Sequence, residues 1–419
     1  MYGRWAAARI DFSRYRLTRQ RVLVVSALLL AVAAAVTAIQ FSAASGLLLP
    51  NGAVIGGDYI AFYAAGQAAL AGDAAQVYDP AAFEAMLRDI APLRERYGLT
   101  WQYPPTYFLL LAPLAFLAYA PGYALWTGAS AAGFLAAMRG AGMKGLFLFV
   151  IVAAPSAFHA AITGQNGFLT GALLAVAALY PDKRPVAAGL AAALLTVKPQ
   201  LGALIPVAYL AAGCWRAFGV AAAGALALAA LSAIAFGPET WPAFFEGLRA
   251  ASDSLGAGLM PLYKMATPFA GARLAGLPVE AAAAIHLVCA LAAMISVGLV
   301  WRRVRDAELR AAALVAGVFL VAPYGYYYEL IVLALPVALL VRRAMEKGWL
   351  PHEQTLITLA FLLPLLTPGE PRRVGVAWGL VVVLVVAASV VRRIAHEQKG
   401  AFDLPFLRFA SAASRPPAD

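Results

Sequence analysis

Two ionisable side chains beside long apolar runs are the residues in this sequence best suited to chemistry. The first is Asp58, the first acidic residue after the first long apolar run, preceded by Gly56-Gly57 and followed by aromatic residues at helical spacing. A carboxylate just outside a membrane can serve as a catalytic base. The alternative is that Asp58 simply caps the helix that follows it, because Asp is a favoured N-cap residue.

Lys198 is the second of these residues. It ends the apolar run 185–197 and is followed by Pro199, whereas the other lysines lie in hydrophilic connections. A charge within the membrane costs free energy and therefore usually has a partner. Since the proline prevents a smooth continuation of the helix, the backbone here should bend and line a cavity. An ammonium in such a place suits a phosphate, although a lysine at a span end can also snorkel to the interface.

Two further segments carry polar groups at the ends of apolar runs. Gly164-Gln165-Asn166 joins two runs, and its amides offer both donors and acceptors for sugar hydroxyls, as a simple polar turn also would. The Tyr-rich segment 324–328 is followed by Glu329 at the start of the next run. Interfacial tyrosines are usually membrane anchors, and Glu329 either faces a cavity or favours a helix N-terminus.

The composition predicts a membrane protein. Of the 419 residues 63% are apolar and 13% charged, whereas soluble domains have roughly 45–50% and about 25%. The net charge of +11 comes from short basic clusters between apolar runs, as the positive-inside rule produces, so we do not expect nucleic-acid binding. The two cysteines and four histidines lack metal-ligand spacing, and we expect no metal and no other cofactor.

The positions of the basic clusters predict a topology. The basic tail 1–21 precedes an apolar run long enough to span the membrane, which we interpret as an uncleaved anchor, with cleavage near Ser42-Ala43-Ala44 as the alternative. Both termini, including the tail 392–419, are then cytoplasmic, and the chain forms a single integral-membrane domain over 1–419. Twelve spans are expected, at about 22–39, 121–138, 145–161, 166–181, 185–197, 200–214, 217–236, 279–301, 310–323, 329–341, 352–367 and 374–391.

The longest polar segment, 41–103, follows the first span and is expected outside. It should contain two amphipathic helices on the membrane surface, one starting at Asp58 and one at Asp79-Pro80. The apolar piece 104–118 is too short for a span and is expected to be a re-entrant or interfacial hairpin, because a full crossing there would place most basic clusters outside. Arg372-Arg373 would then lie outside, against the rule.

Several short motifs, in their order and spacing over about 50–340, resemble the bacterial glycosyltransferase family 87, which is placed in the GT-C superfamily. The matching stretches include Gly57-Asp58-Tyr59, Tyr103-Pro104-Pro105, Gly164-Gln165-Asn166, Lys198-Pro199 and the segment from Pro323 to Glu329. The resemblance implies a GT-C-like all-α bundle in the bacterial inner membrane that uses a polyprenyl-phosphate sugar, often mannose, on the periplasmic side. It also implies that Asp58 is the catalytic base and that Lys198 lies near the donor phosphate.

The combined interpretation is an inverting glycosyl transfer from a polyprenyl-phosphate donor to an envelope glycolipid or glycan. Asp58 is the expected base, Lys198 the phosphate-binding cation, and the expected sugar- or acceptor-binding residues are Tyr59, Tyr103, Gln165, Asn166, Tyr328 and Glu329. The main alternative is a secondary transporter or flippase for a lipid-linked glycan, although polar groups at the bilayer midplane and internal repeats, typical of transporters, are not evident. A noncatalytic scaffold in envelope assembly is a third hypothesis.

Overall fold

The computed structural model describes residues 18–93, 99–367 and 376–398, and the regular structure of these residues is helical apart from isolated bridges. Short 3-10 helices lie at Ala74–Tyr78, Pro105–Tyr107, Leu195–Val197, Leu262–Lys264, Tyr327–Leu333 and Leu363–Leu366. The α-helices are α1 (Arg19–Ser42), α2 (Tyr59–Ala71), α3 (Pro80–Ile90), α4 (Phe108–Leu114), α5 (Tyr119–Gly140), α6 (Leu146–Val152), α7 (Pro155–Ile162), α8 (Gly167–Leu179), α9 (Pro185–Leu194), α10 (Pro199–Gly202), α11 (Leu204–Ala212), α12 (Trp215–Phe236), α13 (Thr240–Gly256), α14 (Pro268–Leu274), α15 (Val279–Arg303), α16 (Ala307–Val321), α17 (Ala334–Lys347), α18 (Glu353–Leu362) and α19 (Trp378–Glu397).

The prediction of an all-helical membrane protein is confirmed. Within the described residues, four helices are long and apolar enough to cross a bilayer, namely α1, α12, α15 and α19. Several other apolar helices are shorter than the roughly 20 residues that a perpendicular span requires. The count of twelve spans therefore stays a prediction, and so do the basic tails and Arg372-Arg373, most of which lie outside the described residues.

Broken helices replace some of the continuous spans. The expected span at 145–161 consists of α6 and α7, because Pro155 occupies the first turn of α7 and cannot continue α6. The expected spans 185–197 and 200–214 are likewise interrupted around Lys198-Pro199, where Lys198 leaves helical geometry with φ −146° and ψ 71°. Interruptions of this kind leave backbone groups that a buried polar site can use.

The piece 104–118 turns back sharply, in keeping with the expected hairpin. The helical segment Pro105–Leu114 meets α5 at an angle of 118° across a short break. Phe108 and Leu111 of α4 are buried, whereas Phe116, at the turn, is 79% exposed. The hairpin therefore places one apolar face on the bundle and presents another outward.

Of the two amphipathic helices expected after the first span, only the second has that character. Asp79 caps α3 by accepting hydrogen bonds from the backbone N–H groups of Ala81 and Ala82, and Phe83 and Leu87 are fully buried. The expectation for α2 is wrong. Nine of its 13 residues are buried because α2 packs against α3, α4 and α5.

Aromatic rings fill the space around α2. The ring of Phe62 lies 5.2 to 6.2 Å from the ring centroids of Trp101, Tyr103, Tyr107 and Trp126. Edge-to-face pairs of this kind stabilise a core beyond their buried area. The cluster fixes α2, and hence the residue just before it, against the hairpin and α5.

Ion pairs gather at one end of the bundle. Arg310 pairs with Asp182, Arg342 with Glu308, and Arg393 with Glu353, while Arg343 contacts Asp306 at 2.8 Å and Glu397 at 2.5 Å. These residues follow α8, begin α16, and end α17 and α19. The opposite ends of α8, α16 and α17 converge on the candidate site, so each of these helices connects the ion-paired end to that site.

Candidate functional site

The loop that carries Asp58 lies directly on the turn between α7 and α8. The Asp58 backbone N–H donates to the Thr163 carbonyl at 2.9 Å. Gly57 has φ +53°, and a Cβ atom there would lie 2.9 Å from the Thr163 Cα. Gly164 has φ +59°, and its Cβ would lie 2.7 Å from the Gly56 carbonyl oxygen. Glycine is therefore required on both sides of this contact, which brings Asp58 to the polar turn.

Substituting Gly57 with alanine tests this close contact. We expect Gly57→Ala to lower the thermal stability in detergent micelles and the sugar-transfer rate, because both the positive φ and the backbone of Thr163 oppose a Cβ, at a cost of about 1–3 kcal/mol. Gly46→Ala is the matched control, since Gly46 has φ +61° but a Cβ atom there would meet no other atom within 4 Å. Equal effects of the two substitutions would contradict the requirement for close contact.

The Asp58 carboxylate does not cap its helix. Asp58 occupies the N-cap position of α2, but its side chain accepts no capping hydrogen bond from the described residues. Instead, Oδ2 accepts a hydrogen bond from Gln165 Nε2 at 2.8 Å, and Gln165 Oε1 accepts one from the Tyr103 hydroxyl at 3.1 Å. The capping alternative is therefore wrong, and the Gln165 amide fixes the orientation of a carboxylate that remains partly exposed.

Burial shifts the protonation of Asp58, which lies between α1 and α2, outside the helices able to span a membrane. Loss of hydration raises the pKa of Asp58 above its ordinary value, while the Gln165 hydrogen bond and the ammonium groups of Lys264 and Lys198 act in the opposite direction. A raised pKa makes a carboxylate a stronger base than an exposed aspartate. This direction suits a group that must accept a proton.

Lys198 is buried and contacts partners other than those of Asp58. Its ammonium forms an ion pair with Glu329 and donates a hydrogen bond to Asn166 Oδ1 at 3.1 Å. Glu329 also accepts the backbone N–H of Tyr326 at 2.9 Å. Lys198 is 4% exposed, and Asn166 and Glu329 are both 0% exposed. The snorkelling alternative is therefore wrong, because the lysine points into the protein toward a carboxylate.

Tyrosines surround these two contacts. The Lys198 ammonium lies 5.3 Å from the Tyr103 ring centroid and 5.9 Å from that of Tyr328, and the rings of Tyr326 and Tyr328 stack with centroids 5.4 Å apart. Tyr103 and Tyr326 are partly exposed, whereas Tyr328 is buried. Aromatic faces that remain accessible beside a carboxylate can pack on a sugar ring.

Some residues expected to touch a sugar are buried. Tyr59 is 1% exposed and packs on Tyr119 and Tyr123 instead of turning toward Gln165. Asn166 and Glu329 have no exposed surface, and Gln165 and Tyr328 retain only 6% and 8%. Tyr59, Asn166 and Glu329 therefore offer almost no accessible surface to a sugar in this structure, and their contact with one stays a prediction. Asn166 and Gln165 instead hold the two ionisable groups.

The sequence reasoning overlooked Lys264. This residue ends a 3-10 helix, is partly exposed, and lies near enough to Asp58 to stabilise its charge. A signal for it was present in the sequence, because Lys264 and Lys198 are the two lysines placed on the outer face by the expected topology. A lysine that departs from the positive-inside pattern calls for a functional explanation.

Comparison with known proteins gives one match. The model of glycosyltransferase family 87 matches residues 101–323, more than half of the chain. No curated protein and no solved structure shows significant similarity. The matched segment includes Tyr103, Gln165, Lys198 and Lys264, while Asp58 precedes it and Glu329 follows it. Members of this family are enzymes that transfer sugars. The chain therefore belongs to glycosyltransferase family 87.

Proposed function

We propose that this glycosyltransferase moves a sugar from a polyprenyl-phosphate donor to a hydroxyl of an envelope glycolipid or glycan, with Asp58 as general base. The observation that carries the proposal is the state of the Asp58 carboxylate. This carboxylate is partly exposed, accepts a hydrogen bond from Gln165 and does not cap α2. Its pKa is raised by burial. The accessible position of this carboxylate and its raised proton affinity both suit a general base.

The proposed chemistry is a single inverting displacement. Asp58 takes the proton of the acceptor hydroxyl as that oxygen forms a bond to the anomeric carbon of the donor sugar. The bond from the anomeric carbon to the phosphate oxygen breaks, and its electron pair leaves with the polyprenyl phosphate. Charge is thereby transferred from the carboxylate to the phosphate, and a nearby cation lowers the barrier by stabilising the negative charge on the phosphate.

Apolar surface at the hairpin and on α12 supports a lipid donor. The turn after α4 exposes Phe116, and α12, which packs near the hairpin, exposes Leu226 and Ile234 at 72% and 83%. Buried within a membrane, these side chains offer a hydrocarbon surface for a prenyl chain. The transferred sugar in this proposal is mannose or another hexose or pentose.

The sidedness of the enzyme is part of the same proposal. With the ion-paired ends of α8, α16 and α17 in the cytoplasm, the site lies on the periplasmic side of a bacterial inner membrane, and a chain with about twelve spans has both termini inside. The clustering of Arg310, Arg342 and Arg343 at one end of these helices supports this orientation. Cysteine labelling of single-cysteine variants at Asp73 and at Lys183 would test it.

Gln165→Leu should change the pH dependence of transfer. The Gln165 amide lowers the pKa of Asp58, so its removal raises that pKa further. Because the base must be deprotonated, activity falls as the pH drops through this pKa, and the acid limb of kcat/KM moves to higher pH. Gln67→Leu, at an exposed position of α2, should leave the limb in place. An unshifted limb in Gln165→Leu would argue against the hydrogen bond.

The function itself is tested with purified protein and synthetic lipid-linked sugars. Mass spectrometry of envelope glycolipids with and without the gene identifies the missing sugar and the acceptor, and the purified enzyme should then add that sugar from its polyprenyl-phosphate form. Transport of the lipid-linked donor across reconstituted vesicles, with no glycosylated product, would instead support the flippase alternative.

A further inference from the structure

The cation expected to bind the donor phosphate is already neutralised within the protein. Lys198 is paired with Glu329, hydrogen-bonded to Asn166 and 4% exposed. A phosphate approaching this lysine would have to displace a buried carboxylate, leaving that carboxylate without its partner. Lys198 and Glu329 together contribute no net charge to the site.

Lys264 has the opposite character. It is partly exposed, and within the described residues it forms no ion pair, while its ammonium lies 5.8 Å from the centroid of the Tyr263 ring. Two backbone contacts fix the chain that follows Lys264. Met265 pairs with Tyr326 in an isolated antiparallel bridge, and the Ala266 N–H donates to the Gly325 carbonyl at 2.7 Å. This pairing brings the end of the Leu262–Lys264 helix to the tyrosine segment beside Asp58.

The tyrosine segment also contacts the chain just before Lys264. The Tyr326 hydroxyl lies 4.0 Å from the Met260 sulfur, so residues on both sides of Lys264 touch the same tyrosine. The ammonium groups of Lys264 and Lys198 both lower the pKa of the Asp58 carboxyl. Lys264, which is partly exposed, is thus held beside the tyrosine segment that borders the site.

We propose that Lys264, and not Lys198, binds the phosphate of the lipid-linked donor; the inference rests on the proposed function. Among the described side chains considered for the site, Lys264 supplies a positive charge that forms no ion pair, whereas Lys198 pairs with Glu329. A phosphodiester donor carries one negative charge, and an ammonium next to Asp58 offsets the repulsion between donor and base.

From this position the Lys264 ammonium can stabilise two negative charges in succession. The acceptor proton moves to Asp58, which loses its charge, while the phosphate gains a second negative charge as its bond to the sugar breaks. Lys264 stabilises the carboxylate before the step and the leaving phosphate during it. A cation whose electrostatic partner changes in this way stabilises the transition state more than the bound substrate.

Binding of farnesyl phosphate and of farnesol to the full-length protein in detergent micelles tests the inference without requiring turnover. Lys264→Ala and Lys264→Gln should weaken farnesyl phosphate binding about 10- to 100-fold, the usual contribution of a charge-assisted hydrogen bond. Farnesol binding should not change, and Lys264→Arg should retain most of the phosphate affinity. Lys183→Ala, an exposed lysine in the turn between α8 and α9, is the matched control.

The outcomes distinguish a failure of the proposed lipid-phosphate donor from a failure of the assignment to Lys264. Wild-type protein that binds farnesyl phosphate no better than farnesol would overturn the proposed use of a lipid phosphate donor. Wild-type protein that prefers the phosphate, with folded Lys264→Ala and Lys264→Gln variants that keep the same preference, would overturn the assignment to Lys264 alone. In the transfer assay the same variants should lower kcat and raise the KM for the donor, and the preference for farnesyl phosphate should decline with added salt.

Discussion

Asp58→Asn should retain the fold and lose sugar transfer by about 10²- to 10⁴-fold in kcat, the usual contribution of a general base. Asparagine has nearly the same shape, and its amide oxygen can still accept the Gln165 hydrogen bond that Oδ2 accepts at 2.8 Å. It cannot take up a proton at neutral pH. The rate of product formation from a lipid-linked donor, measured with saturating acceptor, reports the loss directly.

A second aspartate provides the control for this substitution. Asp73 is exposed and also accepts a hydrogen bond from a glutamine amide, that of Gln76 at 2.7 Å. Asp73→Asn should therefore leave kcat unchanged. Farnesyl phosphate binding should persist in Asp58→Asn, since removal of a negative charge beside the phosphate lessens repulsion. Turnover by Asp58→Asn close to that of Asp73→Asn would sink the base assignment.

Separating the buried ion pair should have the largest effect on stability. Glu329→Gln leaves the Lys198 ammonium buried without a countercharge, and Lys198→Met leaves the carboxylate in the same condition. Removing one partner of a buried ion pair lowers the free energy of unfolding by about 3–5 kcal/mol. The double substitution Lys198→Met with Glu329→Gln removes both charges and should recover part of that loss. The midpoint of thermal unfolding in detergent micelles measures each variant.

A Lys–Glu pair in which the lysine is exposed and the glutamate has a second partner, Arg343, serves as the reference. Lys347 contacts Glu397 at 2.7 Å, and its side chain is 51% exposed. Lys347→Met should cost less than about 1 kcal/mol, because water screens the exposed lysine and Glu397 keeps its ion pair with Arg343. A Lys198→Met protein no less stable than Lys347→Met, but unable to bind farnesyl phosphate, would return the phosphate-binding role to Lys198.

Local sequence signals were sufficient for some of the fold. The Asp79-Pro80 pair marks the start of α3, since its cap depends only on neighbouring residues. For α2 the aromatic spacing suggested one apolar face, but the helix is apolar on almost every side, which is typical of a buried helix. Pro155 was an available signal for the break between α6 and α7.

The site required information that no local pattern contains. Asp58 is held by Gln165, 107 residues later, and Lys198 pairs with Glu329 far along the chain. Sequence could identify these polar residues as unusual and place them on one face, whereas their pairing depends on the packing of separate helices. Consequently the unusual residues were found, but whether each contacts a ligand or another side chain could not be determined from sequence.

The short helices that join the ion-paired end to the site have a consequence for where the reaction occurs. α8 contains 13 residues and α16 contains 15. Such helices extend about 20 Å, compared with a hydrocarbon core about 30 Å thick. If the ion pairs lie at one interface, as the proposed orientation requires, Asn166 at the start of α8 is recessed beneath the other. Under the proposed function, the lipid-linked donor would then enter laterally from the leaflet, and the recess would limit the water that could hydrolyse the activated sugar.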